Sequence, residues 1–255
     1  MYAAFASVYD RLMADVDYPA WARYYHTLLV RHGVAQGCVC ECACGTGSLT
    51  IPLAKQGYQM TGVDISPDML FEASQKARKC GAQIPFVEQD MCQLRLHRPV
   101  HAVLCTNDGV NYLESTGKLA AFFRAAYDAL LSEGMLIFDL STPYKLEHDL
   151  GNRLLGDETE EFAYLWRNRL SSNHRYVELD LTIFIRQADG SYKRINEHQE
   201  QYLHTADQIR NQLAAAGFTN IAFYGDQQLS EPALHERRWH IAAHKPAPDH
   251  PKELP

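Results

Sequence analysis

Apolar positions along this chain change their period several times. Near the start, Tyr2, Phe5, Tyr9, Leu12 and Met13 recur at the spacing of one helix face. Pro19 opens a second helical stretch through "AWARYYHTLLVRHG", which Gly33 closes. Short apolar runs then alternate with helical stretches. The runs are Val39 to Ala43, "YQMTGVD" ending at Asp64, "IPFVEQ" ending at Gln89, "HAVLCT" ending at Thr106 and "GMLIFDLS" ending at Ser141. Between them lie "LTIPLAKQG", "SPDMLFEASQKARKCG" and "TGKLAAFFRAAYDALLSEG"; the last two are amphipathic and end in glycine. Such alternation predicts a parallel sheet with helices on both faces.

The pattern changes after Pro143. "EFAYLWRNRLS", "YVELDLTIFIRQ" and "YKRINEHQEQYLH" read as extended segments, the last two joined by the turn "ADGS". "TADQIRNQLAAAGF" is then a helix with Thr205 as N-cap and Gly217 as stop, and "TNIAFYGD" and "RRWHIAAHK" supply two closing strands. The expected fold is α/β: a doubly wound, Rossmann-like, mostly parallel seven-stranded sheet with an N-terminal helical cover and an antiparallel β lid. The cover takes residues 1–34, the core 35–150 and 205–245, the lid 151–204, and a Pro-rich flexible tail 246–255. His244 and His250 near that end are expected to be solvated.

Composition narrows the class. The chain has 255 residues, 46% hydrophobic and 22% charged, as a soluble globular protein has. No apolar run reaches the roughly 18 residues that span a bilayer. Asp10 and Arg11 come too early for a secretory signal. Seven clustered cysteines suggest reduced thiols and a cytoplasmic location. A net charge of −7 gives no electrostatic reason to bind nucleic acid.

Cys38, Cys40, Cys42 and Cys44 stand at alternate positions of "GCVCECACGTGS". On a strand, same-face thiols are about 6.6 Å apart and form a row, whereas thiolates around one ion lie within roughly 4 Å of each other. A loop wrapped around an ion is the other reading. The strand reading is preferred, with the cysteines as small apolar residues and no metal. It puts Cys38, Cys40 and Cys42 on one sheet face and Glu41 and Ala43 on the other.

The glycines after that strand are the chemical signal. Gly45 and Gly47 permit close approach of a ligand at the carboxyl end of the sheet, where such folds bind. Glu41 is an acid inside an apolar strand end and needs a partner. Asp64 ends the second strand, where an acid accepts from ribose hydroxyls, and Asp90 and Met91 end the third, where adenine would lie. S-adenosylmethionine carries both an ammonium and a ribose.

With these residues the chain resembles the class I S-adenosylmethionine-dependent methyltransferases over roughly residues 35–145. "VCECACGTGS", "GVDISPDML", "VEQDM", "AVLCTNDGVNYL" and "GMLIFDLSTPYKL" carry the resemblance, with Ala43 replacing the family's usual first glycine. The ends of the chain are similar to small bacterial methyltransferases of mostly unassigned substrate, related to the nucleotide-sugar and glycine N-methyltransferases. The resemblance implies methyl transfer to N or O of a small-molecule acceptor, by a monomer or homodimer. It implies cofactor contacts from Glu41, Ala43, Cys44, Gly45, Gly47, Asp64, Ile65, Met69, Asp90, Met91 and Asn107, with Asp108 beside the last. Tyr9 and Trp21 are expected over the cofactor's carboxylate. Asn111 and Tyr112 are expected to face the acceptor. Period two places His198, Glu200, Tyr202 and His204 on one strand face, and His198 or Tyr202 is expected to bind the acceptor or take its proton. Two other readings stand beside this one. A nicotinamide-dependent oxidoreductase needs a third glycine where Thr50 stands. A non-catalytic module would bind the cofactor without transfer.

Overall fold

The computed structural model describes residues 3–114 and 117–248. Tyr2, His250 and most of the tail at 249–255 therefore lie outside the described residues. The order of elements is α1 (Ala3–Leu12), α2 (Tyr18–Arg31), β1 (Cys38–Cys42), α3 (Thr50–Lys55), β2 (Gln59–Asp64), α4 (Pro67–Lys79), β3 (Phe86–Glu88), β4 (Val100–Cys105), α5 (Lys118–Ala129) and β5 (Leu130–Ser141). Then come β6 (Leu154–Glu158), β7 (Phe162–Leu170), β8 (Tyr176–Arg186), β9 (Tyr192–Tyr202), α6 (Ala206–Ala216), β10 (Thr219–Tyr224) and β11 (Arg238–His244).

Seven strands form one sheet in the order β10-β11-β5-β4-β1-β2-β3. Strands β1 to β5 are parallel, and β11 runs antiparallel between β5 and β10. Strand order reverses between β1 and β4, so a crevice opens beyond the carboxyl ends of β1, β2 and β4. A second, antiparallel sheet has the order β6-β7-β8-β9. Among the described residues no helix is long and apolar enough to cross a membrane.

Alternation along each strand builds two cores. Cys40 and Cys42 of β1 pack with Phe122 and Phe123 of α5 and with Leu213 of α6. Val39, on the opposite face, packs with Leu28 and Leu29 of α2 and Leu53 of α3. The cysteine row is thus a buried strand face. All seven cysteines are free, and among the described residues no group of three or more His, Cys, Asp or Glu is placed to hold a metal ion.

Two elements differ from the sequence reading. Helix α5 stops at Ala129, and the strand begins at Leu130 rather than at Gly134, because Leu130 is already extended and pairs with Val100. Strand β6 was not expected. Its "LLGDE" has no period of its own, and it is a strand because it pairs with β7.

Candidate functional site

A cavity of about 290 Å³ opens at the carboxyl ends of β1, β2 and β4. Its floor contains Ala43 and Gly45, both in the left-handed region with φ of 51° and 53°. A side chain at Gly45 would meet nothing within 4 Å, so it would project into open space that a ligand can use. Gly47 has another task. A Cβ there would stand 3.1 Å from the Phe86 ring, so this glycine serves packing and does not line the cavity. A wider depression of about 920 Å³ lies among the strand starts at Cys38, Gln59 and Val100, the end of the sheet that does not bind ligands in such folds.

Carboxylates rim the cavity. Asp64 accepts from Gly45 N–H at 2.8 Å through one oxygen and from Ser66 N–H at 2.9 Å through the other. A carboxylate has about four acceptor positions, so capacity remains toward the cavity. Burial raises the Asp64 pKa, although these amides pull it down. Glu41 is fully buried and accepts from the hydroxyls of Thr50 and, at 2.7 Å, Thr106. Burial still pushes its pKa up to about 7. The hydrogen bonds from Thr50 and Thr106 favour the ionised form, but desolvation outweighs them.

Cys44, Ile65, Met69, Met91 and Asn107 also line this cavity. Ile65 is 69% exposed, unusual for a branched apolar side chain and suited to a flat ligand face. Asp90 is absent from the lining; its carboxylate caps the short turn after β3 by accepting from Cys92 N–H at 2.8 Å. Helix α1 roofs the cavity with Phe5 and Tyr9, and Tyr18 at the start of α2 joins them. Burial raises the Tyr9 pKa well above its ordinary value and that of Tyr18 to about 12. Asp10 latches the roof to the glycine loop: it accepts from Thr46 Oγ1 at 2.5 Å and pairs with Lys76 of α4.

Four further expected contacts, Trp21, Asn111, His198 and Tyr202, lie elsewhere. Trp21 is outside the carboxylate-rimmed cavity and lines an adjoining one, with the Arg238 guanidinium 5.0 Å over its ring. Asn111 is fully buried and does not face an acceptor. Its Nδ2 donates to Ser141 O and Tyr202 O, both at 3.0 Å, and its Oδ1 accepts from Ser141 N–H at 2.8 Å. It fastens the turn after β4 to the ends of β5 and β9. His198 points outward, its side chain 58% exposed, and pairs with Asp180 at 2.7 Å. Tyr202 donates to its neighbour Glu200 on that same outer side. His204, past the strand, is buried, and burial lowers its pKa to about 4 despite the opposing influence of the Val110 and Leu113 backbone. The inward face of β9 is the alternate one, with Glu197, Gln199 and Gln201.

That inward face closes the second cavity, of about 210 Å³, between α1, α2, the turn after β4 and the second sheet. Phe5, Tyr9, Asn107, Tyr112 and Gln199 border both cavities. Tyr112 donates to Gln199 Oε1 at 3.1 Å, linking the core to the second sheet.

Sequence reading passed over the group that shapes this junction. Asp139 of β5 is fully buried. It accepts from Asn107 N–H at 2.7 Å, Asp108 N–H at 3.2 Å and Tyr25 O–H at 2.8 Å, and pairs with Arg238. Asn107 and Asp108 have φ of 53° and 63°, and these bonds hold that uncommon pair in place. Arg238 also grips Asp108 at 2.6 Å. Burial raises the Asp108 pKa, but Arg238 and Lys145 outweigh it and the net shift is down. The available signal was an acid in the apolar run "LIFDLS", the same anomaly that marks Glu41.

A methyltransferase of Geobacillus sp. (strain WCH70), named without a substrate, is 33% identical over 246 residues, 96% of this chain and 99% of its own. This chain belongs to the S-adenosylmethionine-dependent methyltransferases. The family described as "Methyltransferase domain" matches residues 39–134 of the methyltransferase. The crystal structure of an S-adenosylmethionine-dependent methyltransferase from Clostridium acetobutylicum superposes with a TM-score of 0.87 at 28% identity, over 96% of this chain and 99% of that one. A sugar N-methyltransferase from Streptoalloteichus sp. shares the fold, with a TM-score of 0.77 at 23% identity over 94% and 93% of the two chains. S-adenosylmethionine is the cofactor, and the oxidoreductase reading falls: Thr50, where a third glycine would stand, donates to Glu41.

Proposed function

We propose that the methyltransferase holds S-adenosylmethionine in the carboxylate-rimmed cavity and methylates N or O of a small molecule in the adjoining one. The observation that carries this reading is their shared wall at Tyr9, Asn107, Tyr112 and Gln199. When bound, the cofactor supplies an electrophilic methyl group on a positively charged sulfur. Asp64 uses its remaining lone pairs on the ribose hydroxyls. Ile65 and Met69 flank the adenine, with Met91 at its edge. Glu41 and Tyr9 hold the amino-acid end, and Ala43, Cys44 and Gly45 leave room beneath it. Asn107 and Tyr112 fix where the acceptor meets the methyl group, and the roof of Phe5 and Tyr9 excludes water. Orientation and dryness are the main requirements of such a transfer.

Asp64→Asn removes the charge and keeps the shape. Calorimetric titration with S-adenosylhomocysteine is expected to show binding weaker by about 1–3 kcal/mol. Unchanged affinity in the folded variant removes Asp64 from the site.

A further inference from the structure

The cavity under the second sheet is walled mainly by aromatic and aliphatic groups, among them Leu12, Tyr164 and Leu181. Two buried polar atoms on its lining residues have no hydrogen-bond partner among the described residues: Glu197 Oε1 and Trp166 Nε1. Glu197 is 8% exposed, and burial raises its pKa. Its partner across the ladder is Leu181, so the sheet supplies no counter-charge. The other charged groups on the wall, Asp108 and Arg238, satisfy each other. A buried carboxylate oxygen without a partner, on the wall of an apolar cavity, adds nothing to packing; a Leu there would be cheaper for the fold.

We propose that Glu197 and Trp166 form an acceptor-recognition pair for a small, apolar-bodied amine, the carboxylate taking the amine N–H and the indole N–H donating to an acceptor atom of the same molecule. The inference rests on the assignment of the two cavities above. An anionic acceptor would face Glu197 with no free cation among the lining residues. An alcohol would fill the hydrogen bond but bring no positive charge to the carboxylate. Gln199, two residues along the same strand face and therefore about 7 Å from Glu197, borders the cofactor cavity, so Glu197 acts in choosing the acceptor.

The test uses the full-length protein saturated with S-adenosylhomocysteine. Calorimetry compares phenethylamine, 2-phenylethanol and phenylacetate, then the same three groups on a cyclohexyl skeleton. The amines are expected to bind at least about tenfold more tightly than their partners. Glu197→Gln is expected to erase that preference while S-adenosylhomocysteine affinity stays at the wild-type value. Trp166→Phe, which keeps a ring and loses the N–H, is expected to weaken phenylalaninol severalfold. A wild-type ranking that favours the carboxylates or alcohols, no measurable amine binding, or an amine preference that survives Glu197→Gln overturns the proposal. Failure of the wild-type protein to bind S-adenosylhomocysteine would instead overturn the assignment of the cofactor cavity. The wild-type ranking stands even if a variant does not fold.

Discussion

Glu41 shows how one buried acid couples the site to pH. Its carboxyl is held at about 7 by burial, against 4.5 when solvated. Below pH 4.5 both folded and unfolded chains carry the proton. Between there and pH 7 only the folded chain keeps it, so folding takes up a proton and stability falls as pH rises. Above pH 7 the loss is complete. Urea unfolding across this range, without cofactor, is expected to show a few kcal/mol of such loss in the wild type that is missing in Glu41→Gln. Parallel pH profiles for the two proteins would contradict the assignment. The destabilising charge is useful to a binder of cations, because a cationic ligand stabilises the ionised form. An acid in an apolar strand was enough to single out Glu41 from sequence, and Asp64 was marked by its place at a strand end. Asp139 carried the same mark but gained its meaning only from Arg238, 99 positions later.

At the scale of elements, four strand ends are tied together by polar groups rather than by the apolar core. Arg238 at the start of β11 spans Asp139 on β5 and Asp108 in the turn after β4. Asn111 ties the same turn to β5 and β9. Arg238→Met leaves two buried carboxylates without their cation and is expected to cost about 3–5 kcal/mol, read as a lowered Tm. Cofactor affinity is expected to fall with it, since the Asn107–Asp108 turn borders the cavity. A Tm at the wild-type value would mean that the backbone amides and Tyr25 suffice for Asp139. Most helices and parallel strands were legible from their periods and caps. Strand β6 was not, because pairing with β7 creates it. The early start of β5 was hidden by helix-like spacing that continues past Ala129.

The whole molecule closes its site with parts far apart in sequence. Helix α1 is latched to α4 by Asp10–Lys76 and reaches toward the second sheet through Arg11–Glu161 at 2.7 Å. Both pairs are partly exposed and worth little alone, so the roof is held mainly by its apolar contacts with Met69, Ile183 and Ile195. Filling the cavity beneath it is expected to slow amide exchange in α1 and to raise Tm by several degrees, because ligand at a hundredfold excess over Kd adds about 2.7 kcal/mol. Unchanged exchange in α1 on binding S-adenosylhomocysteine would show that the helix is no part of the site. The sequence by itself determined the wound sheet, the glycine loop after β1 and the acids at 41 and 64, since each rests on local period, caps or an anomalous residue in an apolar run. Only the tertiary structure decided which face of β9 looks inward. Both faces are polar there, His198 and Glu200 against Glu197 and Gln199, so alternation alone cannot choose between them. Packing of the second sheet against α1 sets the choice, and with it which side chains line the second cavity.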